Sequence, residues 1–560
     1  MKTLTSMVIL KAFRKLAVTC LALFCLGAMF STKAAPPAGY YQVWGDEFNG
    51  TSLDTTKWDY WLPGTRRDAV NIANAVSVSG GYLNITTYTS NSVNYTAMIA
   101  TDGTFRPRFG YWETSVAWGD TNGMWSAMWM QSPTMGTYLY DPFVSGSEID
   151  VAEHRSTDGT SNGDIINVVQ PNVHWNGYGG SAASSGGNNY GSGLGSGFHT
   201  YGFQWTPANY TIFIDGSNVR NWNYAQNAVP VSLSTEWMIL SSEVQNNLWS
   251  GAIPTGGYGS LATSTTKLTV DYVRYYAPTN DIFWTGNSSA DMTAAANYVT
   301  NMPPLATSDV IFSQLSGNLG PTLGSGLSLD GLVFTWMNNG VTLGGANTLT
   351  LGAGGIDMLS ANHSVALNCP LNIGAAQTWN IGPNSPGNTL TASGNISGSA
   401  TLSKGSYGTL VLNGVNSFTG TLNAGTGSGS ANDGILQLAS SGAAANAAAI
   451  NINDNNGGGS TLQLTGGITV PPPVSLSGRS TNVVGIENVS GSNTLAGALS
   501  INVGGAYYLL QSDAGTLNFG GGMSSSATGT RTFTFMGAGN FLVSGTLANG
   551  SANLFSPPER

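Results

Sequence analysis

Between Ser145 and Arg155 the chain reads SGSEIDVAEHR (145–155). Side chains of an extended strand point alternately to its two faces, so Glu148 and Asp150 share one face. Glu153 stands five residues from Glu148 and would fall on the opposite face of a regular strand. One extra residue between Asp150 and Glu153, a β-bulge, returns it to the side of Glu148. The segment therefore reads as a bulged strand carrying three carboxylates on one face. The surrounding text is of the same kind. GYLNITTYT (81–89), FGYWETSVAW (109–118), MWSAMWM (124–130), INVVQPNVHW (166–175), YTIFIDG (210–216) and LTVDYVRYY (268–276) are short runs rich in Trp, Tyr, Val, Ile and Thr, divided by Gly, Asn and Asp turns. About 240 residues of this pattern, from Tyr40 to Pro278, suit one large antiparallel sandwich.

The whole chain has 560 residues, too many for one ordinary core. Only 8% of them are charged, where roughly 25% is usual, and 76 are Gly. That balance argues against helix bundles, coiled coils and charge-rich disorder. The net charge of −10 and the lack of a basic stripe exclude a nucleic-acid partner. At the N-terminus, Lys2, Lys11, Arg14 and Lys15 precede an apolar run from Leu16 to Phe30, and the small residues Ala34 and Ala35 follow. This is the pattern of a secretory signal peptide over residues 1–34. Its apolar run is shorter than the roughly 20 residues that span a bilayer, so no transmembrane segment is expected after its removal. Cys20 and Cys25 would leave with it, making Cys369 the one remaining thiol and an internal disulfide impossible.

Composition shifts near Pro278. Residues 281–560 hold three of the 15 Trp and 14 of the 46 charged residues. Their text repeats: NTLTLGAGG (347–355), TLSKGSYGTLVLNG (401–414), ILQLASSG (435–442), STLQLTGG (460–467) and TLNFGGGM (516–523). Each is a short alternating strand followed by a Gly, Ser or Asn turn, without helical periodicity. Recurring strands without helices suit a solenoid whose coils stack their inward Leu and Val, with Pro471–Pro473 at a loop between coils. The expected organisation is thus a signal over 1–34, a sandwich over 35–278 and a β-helical repeat region over 279–560.

The chemistry lies in the three acids. With the bulge, Glu148 and Glu153 have backbones roughly 13 Å apart, about four strand rises. Two side chains leaning together over Asp150 close that to the roughly 5 Å of a nucleophile and acid pair acting on a glycosidic bond. Crowded carboxylates cannot all ionise easily, so at least one is expected to stay protonated near neutrality, as an acid catalyst requires. Spacing alone also fits a solvated acidic face or a calcium site. The aromatics weigh toward sugar: Trp112, Trp118, Trp125, Trp129 and Trp175 flank the acid strand in sequence, and indoles stack on apolar sugar faces, although they equally fill sandwich cores. His154, next to Glu153, is expected to point away and to be structural.

On these residues the chain resembles glycoside hydrolase family 16, of laminarinase and lichenase type, over roughly residues 40–277. The acidic motif stands as Glu148-Ile149-Asp150-Val151-Ala152-Glu153. WGDEFNG (44–50), SVSGGYLNI (77–85), FGYWE (109–113), GMWSAMWM (123–130), FHTYGFQWTP (198–207) and DYVRYY (271–276) follow the family's order. The resemblance implies a jelly-roll, concanavalin-like sandwich with Glu148 as nucleophile, Glu153 as acid and base, and Asp150 as the residue that bonds Glu148. It also implies that Glu113, Trp125, Asn172 and His174 contact substrate, with a structural role as the alternative for His174. The family's calcium aspartate matches Asp271, which could instead be an exposed strand-end residue; no cofactor is expected for the chemistry. Where many relatives have Glu-Ala-Arg, this chain has Glu113-Thr114-Ser115, and Arg155 is the one basic residue in 109–175. A neutral β-glucan is therefore the expected substrate, with a marine galactan (agarose, porphyran or carrageenan) or a non-catalytic surface glycan-binding role as alternatives.

The second half resembles autotransporter-associated β-strand repeat proteins. ISGSATLSKGSYGTLVLNGVNSFTGTLNAGTG (396–427) is close to that repeat, and DIFWTGNSSADMTAAANYV, opening at Asp281, to its lead-in. The resemblance implies a right-handed parallel β-helix displayed outside the cell, a means of surface attachment. No membrane β-barrel is read after it. Together the two halves give an all-β expectation for a secreted or surface-attached protein that acts on polysaccharide.

Overall fold

A computed structural model describes residues 36–549, apart from 140, 383–387, 426–433, 456–457, 478–482, 502–504, 506 and 526–530. The expected signal segment, with Cys20 and Cys25, lies outside the described residues. Cys369 is buried in the second half.

Alternating apolar residues over short strands leave each sheet with one face to bury, and the first half meets that need by packing two antiparallel sheets together. One sheet has seven strands in the order Ala183–Ser184, Asn172–Trp175, Ser147–His154, Met124–Gln131, Trp237–Val244, Met98–Ala100 and Asp59–Tyr60. The other has eight, with Gly110–Ala117 between His199–Trp205 and Lys267–Pro278, and with Tyr40–Asp46 added along Lys267–Pro278. Their inner faces share one core that includes Trp112, Val116, Met128, Met130, Ile149, Val151, Tyr201, Phe203, Met238, Leu240, Val270 and Tyr275. In the strand Met124–Gln131, the even positions Met128 and Met130 enter this core while Trp125, Ala127, Trp129 and Gln131 face a cleft.

From Asp281 the pairing changes from antiparallel to parallel. Asp281–Phe283 lies beside Asp309–Phe312, which lies beside Leu327–Phe334, and so on through a 14-stranded sheet, with a nine-stranded and a four-stranded parallel sheet on the other sides. This is a β-solenoid. Successive coils stack like residues in register: Leu390, Leu410, Leu436, Leu462 and Ile486 follow one another across the nine-stranded sheet, all fully buried. The strands Thr409–Leu412, Thr421–Ala424, Ile435–Leu438 and Ala449–Ile452 all alternate half-buried and buried, as the T-L-x-L text requires. The three prolines 471–473 occupy the corner between Thr469–Val470 and Val474–Leu476.

Candidate active site

The acid strand Ser147–His154 pairs with Met124–Gln131 in a register that slips once: Trp129 faces Asp150, Met128 faces Ala152, and Val151 has no partner. Val151 and Ala152 both turn into the core, fully buried. The pleat resumes one residue late, so Glu148, Asp150 and Glu153 all line one cleft of about 560 Å³. Across the strand pair Glu148 lies opposite Gln131, Asp150 opposite Trp129, and Glu153 opposite Ala127, whose small side chain leaves room above the floor. On the other flank Glu148 pairs with His174 and Asp150 with Asn172. His174 Nε2 is 3.3 Å from Asp150 Oδ2, 3.9 Å from Glu148 Oε1 and 3.0 Å from Asn172 Nδ2.

Burial separates the carboxyls electrostatically. Glu153 is pushed well above the ordinary carboxylate range by desolvation, with repulsion from Asp150 and Glu148 adding to it. Asp150 is raised in the same way, by burial and then by Glu148 and Glu243. Burial raises Glu148 too, but a hydrogen bond from the Tyr178 hydroxyl and the nearby His174 act against it. The arrangement thus holds protons more firmly on Asp150 and Glu153 than on Glu148, the ordering a proton donor and a nucleophile need.

Further groups come from strands far away in sequence. Glu243, only 6% exposed, stands opposite Trp125. Arg66 and Arg67 close on it, with Arg66 Nη2 at 3.1 Å and Arg67 Nε at 2.5 Å. The Arg67 guanidinium also lies 5.0 Å over the Trp125 ring, so that indole is covered on one side. Trp61 packs edge-on against Trp129 and Trp237 at 5.5 and 6.3 Å, and Trp129 Nε1 donates to Ser241 Oγ at 3.0 Å. None of Trp61, Arg66, Arg67, Tyr178, Trp237 or Glu243 carried a motif signal. Arg66-Arg67 is an adjacent basic pair in a chain with few charges, the one cue available for them.

Several expected site residues lie elsewhere. Glu113 belongs to the opposite sheet, fully buried, where the hydroxyl of Tyr272 donates to Oε1 at 2.8 Å and that of Tyr111 to Oε2 at 3.4 Å. Alternation decides this: Trp112 and Val116 turn into the core, so Glu113 between them faces away from core and cleft alike. Trp112 and Trp118 are core residues, and Trp175 packs against that core. Arg155 stacks on Trp249 and bonds Gln170 at 3.0 Å, so the cleft takes its basic groups from Arg66 and Arg67 instead. His154 is fully buried, with Nδ1 at 2.8 Å from Asp120, Nε2 at 2.7 Å from the Ile166 carbonyl and its ring stacked on Trp118. This is the structural role expected of it. Asp271, the calcium candidate, is the residue skipped where Lys267–Pro278 bulges between Val270 and Tyr272. Among the described residues Asp271 belongs to no group of three or more acidic, histidine or cysteine side chains, so a cation there would have to draw its other ligands from backbone oxygens. The tightest such group, Glu148, Asp150 and His174 within 4.8 Å, is the acid cluster itself, and no metal is assigned to it.

The family model of Glycosyl hydrolases family 16 matches residues 65–274. Among curated proteins, a glucan endo-1,3-beta-glucosidase A1 of Niallia circulans is 25% identical over 280 residues, 43% of this chain and 38% of that protein. A beta-glucanase of Rhodothermus marinus is 28% identical over 239 residues, 39% of this chain and 77% of that protein. The chain therefore spans well under half the length of the first of these relatives. Of solved structures, the laminarinase from Rhodothermus marinus is similar at 24% identity and a TM-score of 0.34, covering 42% of this chain and 97% of that one. The sandwich, over residues 65–274, is the part of this chain that matches Glycosyl hydrolases family 16, and the β-solenoid lies outside the match.

Proposed function

We propose that this protein is an exported retaining endo-β-glucanase that hydrolyses internal β-1,3 or mixed β-1,3/1,4 glucan bonds. The observation that carries the reading is the bulge at Val151, which lines up Glu148, Asp150 and Glu153 on the floor of one open cleft. In this reading the Glu148 carboxylate attacks the anomeric carbon while Glu153, held protonated by burial, gives its proton to the departing glycosidic oxygen. The bond from anomeric carbon to leaving oxygen breaks, and a glycosyl ester on Glu148 forms. Glu153, now ionised, takes a proton from water, the water oxygen attacks the same carbon, and Glu148 leaves with the electron pair. Asp150 and His174 lie beside Glu148 and would hold its orientation. The aromatic lining and the curated relatives, named as β-glucanases, support glucan as the substrate.

The test is hydrolysis of laminarin and lichenan by the wild type, Glu148→Gln and Glu153→Gln, with product anomers followed by proton NMR. We expect β-anomers first and a loss of at least about a thousandfold in turnover for both variants, comparable to removing a catalytic group elsewhere. Near-wild-type turnover in either variant overturns the assignment.

A second substrate class is a marine galactan, and one observation favours its sulfated members: Arg66 and Arg67 line the cleft. Both are engaged by Glu243, which offsets the attraction an anionic sugar would feel. Assay on agarose, porphyran and carrageenan beside the glucans decides between them.

A further inference from the structure

The Gly-rich segment GYGGSAASSGG (177–187) looks by composition like a plain loop. Its second residue does something specific. Asn172–Trp175 and Ala183–Ser184 form a hairpin at the edge of the cleft sheet, and Tyr178 lies in its connecting loop. Asn176 and Gly177 both take positive φ, 63° and 75°, turning the chain back over the sheet. The turn is clamped from outside, since a Cβ on Gly136 would lie only 2.7 Å from the Gly177 Cα. Tyr178 as a whole is 69% exposed, yet its hydroxyl ends on Glu148 Oε2 and lies 2.9 Å from Gln131 Oε1. One phenol proton cannot serve both acceptors, and a carboxylate is the stronger of the two. Apart from that hydroxyl, an exposed ring has little to hold it over the cleft.

We propose that Tyr178 is a positioning residue for Glu148: its loop-borne hydroxyl fixes the nucleophile carboxylate by hydrogen bonding to Oε2, leaving Oε1 to attack. The inference rests on the proposed role of Glu148. The bond matters because the surroundings are mostly acidic. Asp150 and Glu153 share the strand of Glu148, Glu243 and the buried Glu236 come from the strand and loop beyond Met124–Gln131, and His174 and Arg66 are the cationic or neutral counterparts. A donor at Oε2 is what favours the ionised carboxylate in that company.

The test compares wild type with Tyr178→Phe, which keeps the ring and removes the donor. On laminarin we expect kcat to fall about ten- to a hundredfold, the scale of one hydrogen bond to a charged group, with KM within about twofold. Labelling of Glu148 by a 2-deoxy-2-fluoro-β-laminaribiosyl fluoride should slow by the same factor, and the acid limb of the kcat/KM profile should move to higher pH. A raised KM with unchanged kcat would make Tyr178 a sugar contact and overturn the proposal, as would no change at all. A readout without substrate separates this from failure of the glucanase reading. The chain has eight Glu, so the carboxyl carbon-13 signal of Glu148 can be assigned with Glu148→Gln and titrated. It should deprotonate at higher pH in Tyr178→Phe than in wild type, whether or not any glucan is cleaved; coincident titrations sink the contact.

Discussion

If the bulge serves only to choose the face of Glu153, then removing one of its two inward residues should leave the site standing. Deleting Ala152 turns the motif into Glu-Ile-Asp-Val-Glu, a regular strand in which the three acids alternate onto one face without help. Val151 would take over the place opposite Met128, and the Glu148–Glu153 backbone separation would stay near four strand rises. The fold loses one buried methyl, worth about 1 kcal/mol, and recovers a regular ladder in place of an unpaired residue, worth a similar amount. The net effect on the sandwich is a shift of no more than a few degrees in Tm. By contrast, deleting Ile149 pushes Glu148 into the position of a fully buried core residue, where an unpaired carboxyl costs several kcal/mol. Thermal unfolding and kcat/KM on laminarin should therefore find the Ala152 deletion folded and within about tenfold of wild type, and the Ile149 deletion unfolded or dead. A folded Ala152 deletion with activity down a thousandfold would refute the reasoning, since the bulge would then be setting the lean of Glu153 and not merely its face.

Glu113→Gln should lower stability by about 1–3 kcal/mol, because an amide donor would meet the Tyr272 and Tyr111 hydroxyls; urea unfolding reads the loss, and kcat per folded molecule should stay put. Glu236 is buried and raised to about 8, so the folded chain keeps a proton there that the unfolded chain has already released. Stability must then fall as pH rises from the ordinary carboxylate range toward 8, and Glu236→Gln should flatten that slope in Tm measured from pH 5 to 8. Burial likewise raises Asp281 to about 7, with repulsion from Asp309, and Asp309 to about 6, with repulsion from Asp330 and Asp357, at the junction of sandwich and solenoid. Limited proteolysis there should speed up from pH 5 to pH 8, and Asp281→Asn should blunt the rise. An unchanged cleavage rate across that range would count against the buried-acid account.

What the sequence made legible follows from range. Strand alternation and the bulge are properties of a few consecutive residues, so SGSEIDVAEHR already implied one acidic face, and T-L-x-L followed by Gly already implied stacked coils. Facing residues across strands are a matter of register, and register joins distant text. Glu243 sits opposite Trp125 although 118 positions separate them by number, and Arg66 reaches the same carboxylate from a third strand. No local period marks such partners. Glu113 erred for a related reason: a motif places a residue on a strand, but the inward choice of Trp112 and Val116 decides which way its neighbour points.

The join between the two halves bears on the cleft. Phe283 and Ile311, from the first two solenoid strands, are buried in the same core as Tyr275 and Phe105 of the sandwich, and Phe283 meets the Tyr275 ring edge-on at 6.4 Å. Above that shared core, polar contacts from the solenoid fall on loops that feed the site. Tyr407 donates to Asp141 at 2.9 Å, and Asp141 caps the short helix Pro142–Ser145 that leads into the acid strand. Ser360 donates to the Leu233 carbonyl at 2.9 Å, and Arg108 binds that carbonyl at 3.4 Å together with both carboxylate oxygens of Asp357 at 3.2 and 2.7 Å. Leu233 lies four residues before Trp237, whose ring faces the cleft on one side while Arg106 bridges it to Trp336 of the solenoid at 4.7 and 3.9 Å. Severing the chain after Pro278 would thus do more than remove a neighbour. It would expose apolar core at Tyr275 and free both segments that enter the cleft floor, so the solenoid belongs to the physics of the site even though it contributes no residue to the acid cluster.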